Sequence, residues 1–336
     1  MRAFVVAEHA HPTKISLSYD VSEPKAKPDE VLVDVYSASL NYFDILQSQG
    51  KYQVQPPLPF VLGAEFAGRI SQNSPIPKGC PYQPGDRVFG YAQGAYADKV
   101  AAKARALLPL PDNMSYDQGA GLFITCPTSY EALVGRAELK AGEWVLVTAS
   151  AGGVGLPAVQ IAKALGAKVI AAAGSANKID ISKRLGGADY GIDYTKPDWQ
   201  KEVMKITGGH GVDVIFDPVG MIKDCLKCIA WKGRAIVVGF ANGKIEQLPL
   251  NLVLLKNVAV ASAETRLILQ VKEPGHIPSV WQGLLELLSS GGLKPVIYDK
   301  VYPLEKLADG LRELEQRKTW GKVAIRVREE TTKARL

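Results

Sequence analysis

One segment constrains this chain more than any other: Val145-Leu146-Val147-Thr148-Ala149-Ser150-Ala151-Gly152-Gly153-Val154-Gly155. A continuous apolar run enters a glycine-rich turn, and the turn opens a helical pattern that runs to Leu165. Unpaired backbone N–H groups at such a helix N-terminus make an anion site. Gly152 and Gly153 let the backbone approach a pyrophosphate, and Gly155 lets the helix pack closely on the strand. The loop departs from G-x-G-x-x-G, because Ser150 stands where the first glycine would, but a small residue still permits a tight turn. A glycine pattern alone also describes a purely structural turn. It gains meaning as the first strand–helix pair of a βαβ series.

That series follows. Strands are expected at Lys168 to Ala173, Tyr190 to Asp193, Val212 to Phe216, Arg234 to Val238 and Val258 to Ala261. Helices are expected at Asn177 to Leu185, Trp199 to Ile206 and Ile222 to Ile229. Repeated βαβ with continuous apolar strands predicts a parallel, doubly wound sheet. Residues 1 to about 120 read differently. Short β-branched runs (Ala3 to Ala7, Glu30 to Ala38, Ala64 to Ile70, Asp86 to Tyr91, Ala95 to Val100) alternate with Pro-rich turns, and one helix follows Asn41. This predicts a β-rich domain. The last part carries helices at Ser279 to Leu288 and Leu304 to Gln316, and strands near Pro295 to Tyr302 and Gly321 to Val327. The polar tail from Arg328 to Leu336 is expected to be disordered.

Composition narrows the classes further. The 336 residues suggest roughly two domains. The 47% hydrophobic and 22% charged content excludes collagenous and low-complexity chains. The four cysteines are too few for a disulfide scaffold and fit a reducing compartment. No apolar run reaches the ~18 residues of a membrane span, and Met1 to Ala10 reads as a strand and not as a leader. The net charge of +6 is spread without a basic block, so nucleic-acid binding is not expected.

The second strand of the βαβ series selects the dinucleotide. An NAD site places an acid about 20 residues after the loop. Here Gly174, Ser175 and Lys178 occupy that stretch, and the first acid is Asp180. A hydroxyl and a cation suit a 2′-phosphate, which points to NADPH. The alternative for Lys178 is a solvated side chain in a helix's first turn.

Metal and nucleophile chemistry find little support. Cys225 and Cys228 have C-x-x-C spacing but no second pair, and are expected on an apolar helix face. The four histidines do not pair at ligand spacing, and no G-x-S-x-G elbow occurs. The chemistry is expected to reside in the bound cofactor.

Several motifs in order carry a family resemblance: Ser39-Leu40-Asn41-Tyr42-Phe43-Asp44, Gly63-Ala64-Glu65-Phe66-Ala67-Gly68, Gly85-Asp86-Arg87-Val88, the 149–155 loop, Gly174 to Lys178, Asp193-Tyr194 and Asp217-Pro218-Val219-Gly220. Over residues 1 to about 328 the chain resembles the medium-chain dehydrogenase/reductase superfamily. Within it, the chain is most similar to the zinc-independent, zeta-crystallin-like NADPH:quinone oxidoreductases. The resemblance implies a GroES-like catalytic domain from residues 1–122 and 263–336, a Rossmann domain from 123–262, an active site between them, and a homodimer or tetramer joined through cofactor-domain sheets. Zinc-dependent relatives carry Cys where Asn41 stands and Gly-His-Glu where Gly63-Ala64-Glu65 stands, so no metal is expected.

The resemblance further implies pyrophosphate contacts from Ala151, Gly152, Gly153 and Val154. It implies 2′-phosphate contacts from Ser175, Lys178 and Tyr194, a cationic contact from Arg317, nicotinamide-end contacts from Val238, Gly239 and Phe240 with Asn41 and Thr128, and further cofactor contacts from Gly174 and Pro218. Asn41 and Thr128 would orient the nicotinamide or polarise the acceptor, and Tyr52 would line the pocket. Leu46 replaces a family tyrosine, and relatives carry aromatics and glycines in the stretch 261–269. The implied reaction is metal-free hydride transfer from NADPH to a quinone. An enone or enoyl thioester, or a mainly non-catalytic NADPH- or RNA-binding role, stays open. The expected location is cytoplasmic, with Ala334-Arg335-Leu336 leaving a peroxisomal alternative.

Overall fold

The computed structural model describes residues 1–263 and 272–330. They form two compact units, Met1–Phe123 with Ile297–Leu336, and Ile124–Val296. Residues 263 and 272–296, expected from the sequence to belong with the β-rich part, fall in the second unit.

The first unit opens with β1 (Ala3–Val6), β2 (Leu17–Ser18), β3 (Glu30–Ser39), β4 (Phe60–Val61), β5 (Glu65–Ile70), β6 (Arg87–Tyr91), β7 (Lys99–Lys103) and β8 (Leu107–Pro109). Helix α1 (Tyr42–Ser48) follows β3, and α2 (Tyr116–Ala120) follows β8.

The second unit contains β9 (Trp144–Val147), β10 (Lys168–Ala173), β11 (Tyr190–Asp193), β12 (Val212–Asp217), β13 (Ile229–Val237) and β14 (Ala259–Ser262). Its helices are α3 (Thr125–Tyr130), α4 (Gly155–Ala164), α5 (Ala176–Gly186), α6 (Trp199–Ile206), α7 (Ile222–Cys225), α8 (Leu250–Lys256) and α9 (Ile277–Ser289). The chain then returns to the first unit with β15 (Tyr302–Pro303), α10 (Leu307–Glu315) and β16 (Ala324–Arg326).

In the first unit the large sheet runs β15-β16-β3-β5-β6-β8, with β7 also on β3. Register decides what meets at one end of it. Ser39 on β3 pairs with Glu65 on β5 and with Ala324 on β16. The residues flanking these positions, Asn41 and Lys322, are therefore brought beside Glu65. A core of Val33, Val35, Phe66, Val88 and Tyr96 lies behind. Each such buried side chain contributes about 1.5–3 kcal/mol by leaving water.

In the second unit every ladder is parallel, in the order β11-β10-β9-β12-β13-β14. Strand β9 pairs with β10 on one side and β12 on the other, so the winding reverses between β9 and β12. Ligands of open α/β sheets bind outside the strand C-termini at such a reversal. Residues 169–173 are all buried, as a strand covered on both faces requires.

Some elements differ from expectation. The expected strand 95–100 enters the ladder only at Lys99. Residues 95–97 are held by single contacts, with Tyr96 N donating to Leu62 O and Ala3 bridging Ala97. The expected strand 295–302 contributes only Tyr302 and an isolated bridge from Ile297 to Lys322. Pro295 has no N–H to donate, which works against a ladder at its start. Helix 222–229 is α-helical only to Cys225 and tightens to 3-10 through Cys228. Helices α3 and α8 have no clear sequence signal. Pro127 and Gly135 mask the helical stretch around α3, and three leucines of α8, Leu250, Leu254 and Leu255, point to solvent while Leu252 packs on the core. Residues 331–336, with the terminal tripeptide, lie outside the described residues, as does 264–271.

Candidate active site

The glycine loop joins β9 to α4. Thr148 closes β9 by donating its N–H to Phe216 O. Ala149 then takes the left-handed conformation, φ 45. The tight turn therefore falls one residue before Ser150, the position matched to the first glycine. Ser150 is buried, with its hydroxyl 2.8 Å from that of Ser182. A Cβ on Gly155 would run into the Ala149 carbonyl and the Ser150 backbone, and one on Gly152 would lie 3.1 Å from Ala149 O. Gly155 is thus required for the helix to start against the loop. Ser129 on α3 donates to Val154 O at 2.7 Å and bolts α3 to the loop. Its neighbour Thr128 donates to Ile124 O at 2.7 Å.

At the end of β10, Gly174 leads into Ser175, the N-cap of α5, whose hydroxyl accepts from Lys178 N at 3.4 Å. Lys178 lies in the first turn of α5. A Cβ on Gly174 would touch the Tyr194 ring at 3.5 Å, so Gly174 and Tyr194 adjoin. This part of the unit brings Gly174, Ser175, Lys178 and Tyr194 together, with Ser175 held by its capping role.

Asp217 opens the Asp217-Pro218-Val219-Gly220 motif, and the motif alone assigns it no role. It is fully buried at the end of β12 and accepts four hydrogen bonds, from Thr148 Oγ1, Val219 N, Gly220 N and Met221 N. It therefore shapes the 218–221 turn and ties it to β9 across the sheet reversal. Val238 N donates to Asp217 O and Ala241 N to Pro218 O, which seats Pro218 beside Val238, Gly239 and Phe240. Phe240 is 40% exposed.

The first unit holds Asn41, Tyr52 and Arg317. Tyr52 stacks on Phe43 with centroids 5.3 Å apart. Arg317 lies just beyond α10 with φ 57, and Lys318 N donates to Glu313 O. That is the Schellman ending, in which glycine is the usual occupant.

Asn41 caps α1 and sits in a buried polar cluster. Its backbone N–H donates to Asp44 Oδ2 at 2.8 Å. Its Nδ2 donates to Glu65 Oε1 at 2.9 Å, with Ser39 O at 3.4 Å. Its Oδ1 accepts from Lys322 Nζ at 2.7 Å. Lys322 also reaches Leu40 O at 2.9 Å and Glu65 Oε1 at 2.7 Å. The Tyr96 hydroxyl lies 2.5 Å from Asp44 Oδ2. Asp44 Oδ1 is buried with no hydrogen-bond partner. Burial pushes the Asp44 carboxyl up to about 7 against the opposing Tyr96 hydrogen bond, the Asn41 N–H and the Lys322 charge. Burial and Asp44 together hold the Tyr96 phenol well above its ordinary value.

Zinc does not fit this donor set. A catalytic zinc takes three protein ligands from Cys, His and carboxylate. Here the candidate positions hold a carboxamide at 41, a methyl group at 64, and a carboxylate at 65 already bonded to an ammonium. Among the described residues no cluster of three His, Cys, Asp or Glu could hold a metal. Cys225 and Cys228 are buried thiols that burial pushes up, in keeping with an apolar face.

Comparison with known proteins gives a consistent result. Residues 27–112 match the family described as alcohol dehydrogenase GroES-like domain, and 153–290 match zinc-binding dehydrogenase. The quinone oxidoreductase-like protein 2 homolog of Nematostella vectensis is 37% identical, covering 89% of this chain and 82% of its own. Human quinone oxidoreductase is 33% identical, covering 92% of each. The Escherichia coli quinone oxidoreductase structure complexed with NADPH superposes with a TM-score of 0.87 at 29% identity, covering 97% of this chain and 100% of that one.

Proposed function

We propose that this chain, which belongs to the quinone oxidoreductase branch of the medium-chain dehydrogenase/reductase superfamily, binds NADPH and transfers its hydride to a quinone without a metal. The observation that carries the reading is the second unit's arrangement at the β9/β12 reversal. A loop that needs Gly155, a helix N-terminus, and Lys178 in place of an acid converge there. Relatives named as quinone oxidoreductases, one of them solved with NADPH, support the same reading.

When bound, NADPH supplies the hydride from nicotinamide C4. The backbone of Ala151, Gly152, Gly153 and Val154 binds the pyrophosphate at the start of α4. In the second unit Gly174, Ser175, Lys178 and Tyr194 bind the 2′-phosphate, and Arg317 is a cationic contact to the cofactor. The Asp217-shaped turn holds Pro218 with Val238, Gly239 and Phe240 against the nicotinamide. Asn41 donates to the acceptor carbonyl, Thr128 orients the nicotinamide, and the Tyr52–Phe43 stack lines the acceptor pocket. Orientation and exclusion of water are the protein's contribution.

A homodimer is part of the proposal. Among the described residues strand β14 is the sheet's edge, and α8, which precedes it in the chain and packs on β13, leaves Leu250, Leu254 and Leu255 more than 70% exposed. An open edge and exposed leucines are surfaces that a second copy would cover. No described helix is long and apolar enough to cross a membrane.

The test follows NADPH absorbance against benzoquinone, naphthoquinone, phenanthrenequinone, an enone and a crotonyl thioester. Quinone turnover supports the proposal. Turnover of the C=C acceptors alone would replace the quinone by an activated alkene, and tight NADPH binding without turnover would favour a non-catalytic role.

A further inference from the structure

We propose that Lys322 is a positioning residue that fixes the sense of the Asn41 carboxamide, committing its oxygen to the ammonium and leaving its NH2 group as the donor to the acceptor carbonyl. The inference rests on the reading of Asn41 given above.

The geometry accounts for every ammonium proton. Lys322 Nζ has three acceptors within 2.9 Å: Leu40 O, Asn41 Oδ1 and Glu65 Oε1. An ammonium has three donors and no acceptor, so only an oxygen can occupy the side of the amide that faces it. The other end of the amide is then NH2 by necessity. One of its hydrogens goes to Glu65 Oε1 at 2.9 Å, and the other has Ser39 O at the long distance of 3.4 Å. That second hydrogen is the one offered to a carbonyl. The backbone of Asn41 is gripped as well, through its N–H to Asp44 Oδ2.

Stability alone does not explain the lysine. Apolar residues of similar volume generally serve as well as a buried ion pair. A pure counter-charge for Glu65 would also need no contact with Asn41. The register that places Glu65 opposite Ser39, and Ala324 opposite the same serine, delivers Lys322 to both partners.

The test uses Lys322→Met, Glu65→Gln and the double variant, with Asn41→Ala as reference. Lys322→Met alone strands a buried carboxylate and can unfold the chain. The double variant removes both charges, keeps an acceptor oxygen at 65, and allows two neutral amides to pair in either sense. In the double variant the melting temperature should return to near wild type, kcat with a quinone should fall at least about tenfold, and NADPH Kd should stay within about twofold. Independently of turnover, the Asn41 side-chain NH2 signal in 15N-asparagine-labelled protein, assigned by its loss in Asn41→Ala, should be sharp in wild type and broadened by exchange in the double variant. Recovery of kcat together with stability would reduce Lys322 to a counter-charge and overturn the proposal. An unchanged Asn41 signal would do the same. A wild-type chain that turns over no quinone would remove the proposed function, and the NMR comparison would still decide the role of Lys322.

Discussion

The Lys322 ammonium and the Glu65 carboxylate lie 2.7 Å apart with side chains 7% and 0% exposed. Charges this deep depend on each other. Glu65→Ala leaves the ammonium without its counter-charge and should destabilise the chain by about 3–5 kcal/mol, read from urea unfolding. A loss below about 1 kcal/mol would mean that water reaches the pair.

The Asp44 carboxyl sets a second prediction. Its pKa is raised from 3.8 to about 7, chiefly by burial, with Tyr96, Lys322, Glu65 and Asn41 around it. Between those values the folded state holds a proton that the unfolded state has released. The group's favourable contribution is therefore complete below pH 3.8 and is lost as pH rises through about 7. It imposes a slope of at most about 1.4 kcal/mol per pH unit. Asp44→Asn should flatten the stability profile across that window. The same slope in wild type and variant would assign it to another group.

Arg317 occupies a left-handed position that ends α10. Arg317→Gly should raise stability by about 1 kcal/mol, because glycine carries no Cβ penalty there. If the guanidinium also meets the 2′-phosphate, NADPH Kd rises in the same variant. A gain in stability with unchanged NADPH affinity would leave Arg317 as a helix terminator only.

The exposed leucines of α8 test the assembly. Leu254 is 79% exposed on a helix that packs on β13 and leads into the edge strand. Leu254→Glu should convert a dimer to a monomer in sedimentation with the thermal midpoint of each fold intact. A wild-type chain that already sediments as a monomer would refute the interface.

The central sheet was the most legible part of the chain. Lys168–Ala173, Tyr190–Asp193 and Trp199–Ile206 fall where the sequence places them: β10, covered on both faces, leaves an unbroken apolar run, and α6 buries Trp199 and Val203 at helical spacing. Ala149 was less legible: local spacing marks Ser150, whereas the turn's strain falls one residue earlier. Lys322 was not legible at all. It lies 257 positions after Glu65, and only the antiparallel register of β3 with β5 and β16 reveals that they meet. Asp217 gave a partial signal, an acid closing an apolar strand, but its four donors come from β9 and the following turn. Helix α8 turns Leu252 and Val253 to the core and leaves Leu250, Leu254 and Leu255 exposed, so its leucines follow no single apolar stripe.

The most direct measurement is kcat/KM for phenanthrenequinone with NADPH and with NADH, on chelator-treated enzyme, for wild type and Lys178→Ala. The account predicts turnover that survives chelation and favours NADPH, and a Lys178→Ala variant whose NADPH KM is at least about tenfold higher, as loss of a charge-assisted phosphate contact requires. Turnover that disappears with chelator and returns with zinc, or an NADPH/NADH preference unchanged in Lys178→Ala, would contradict it.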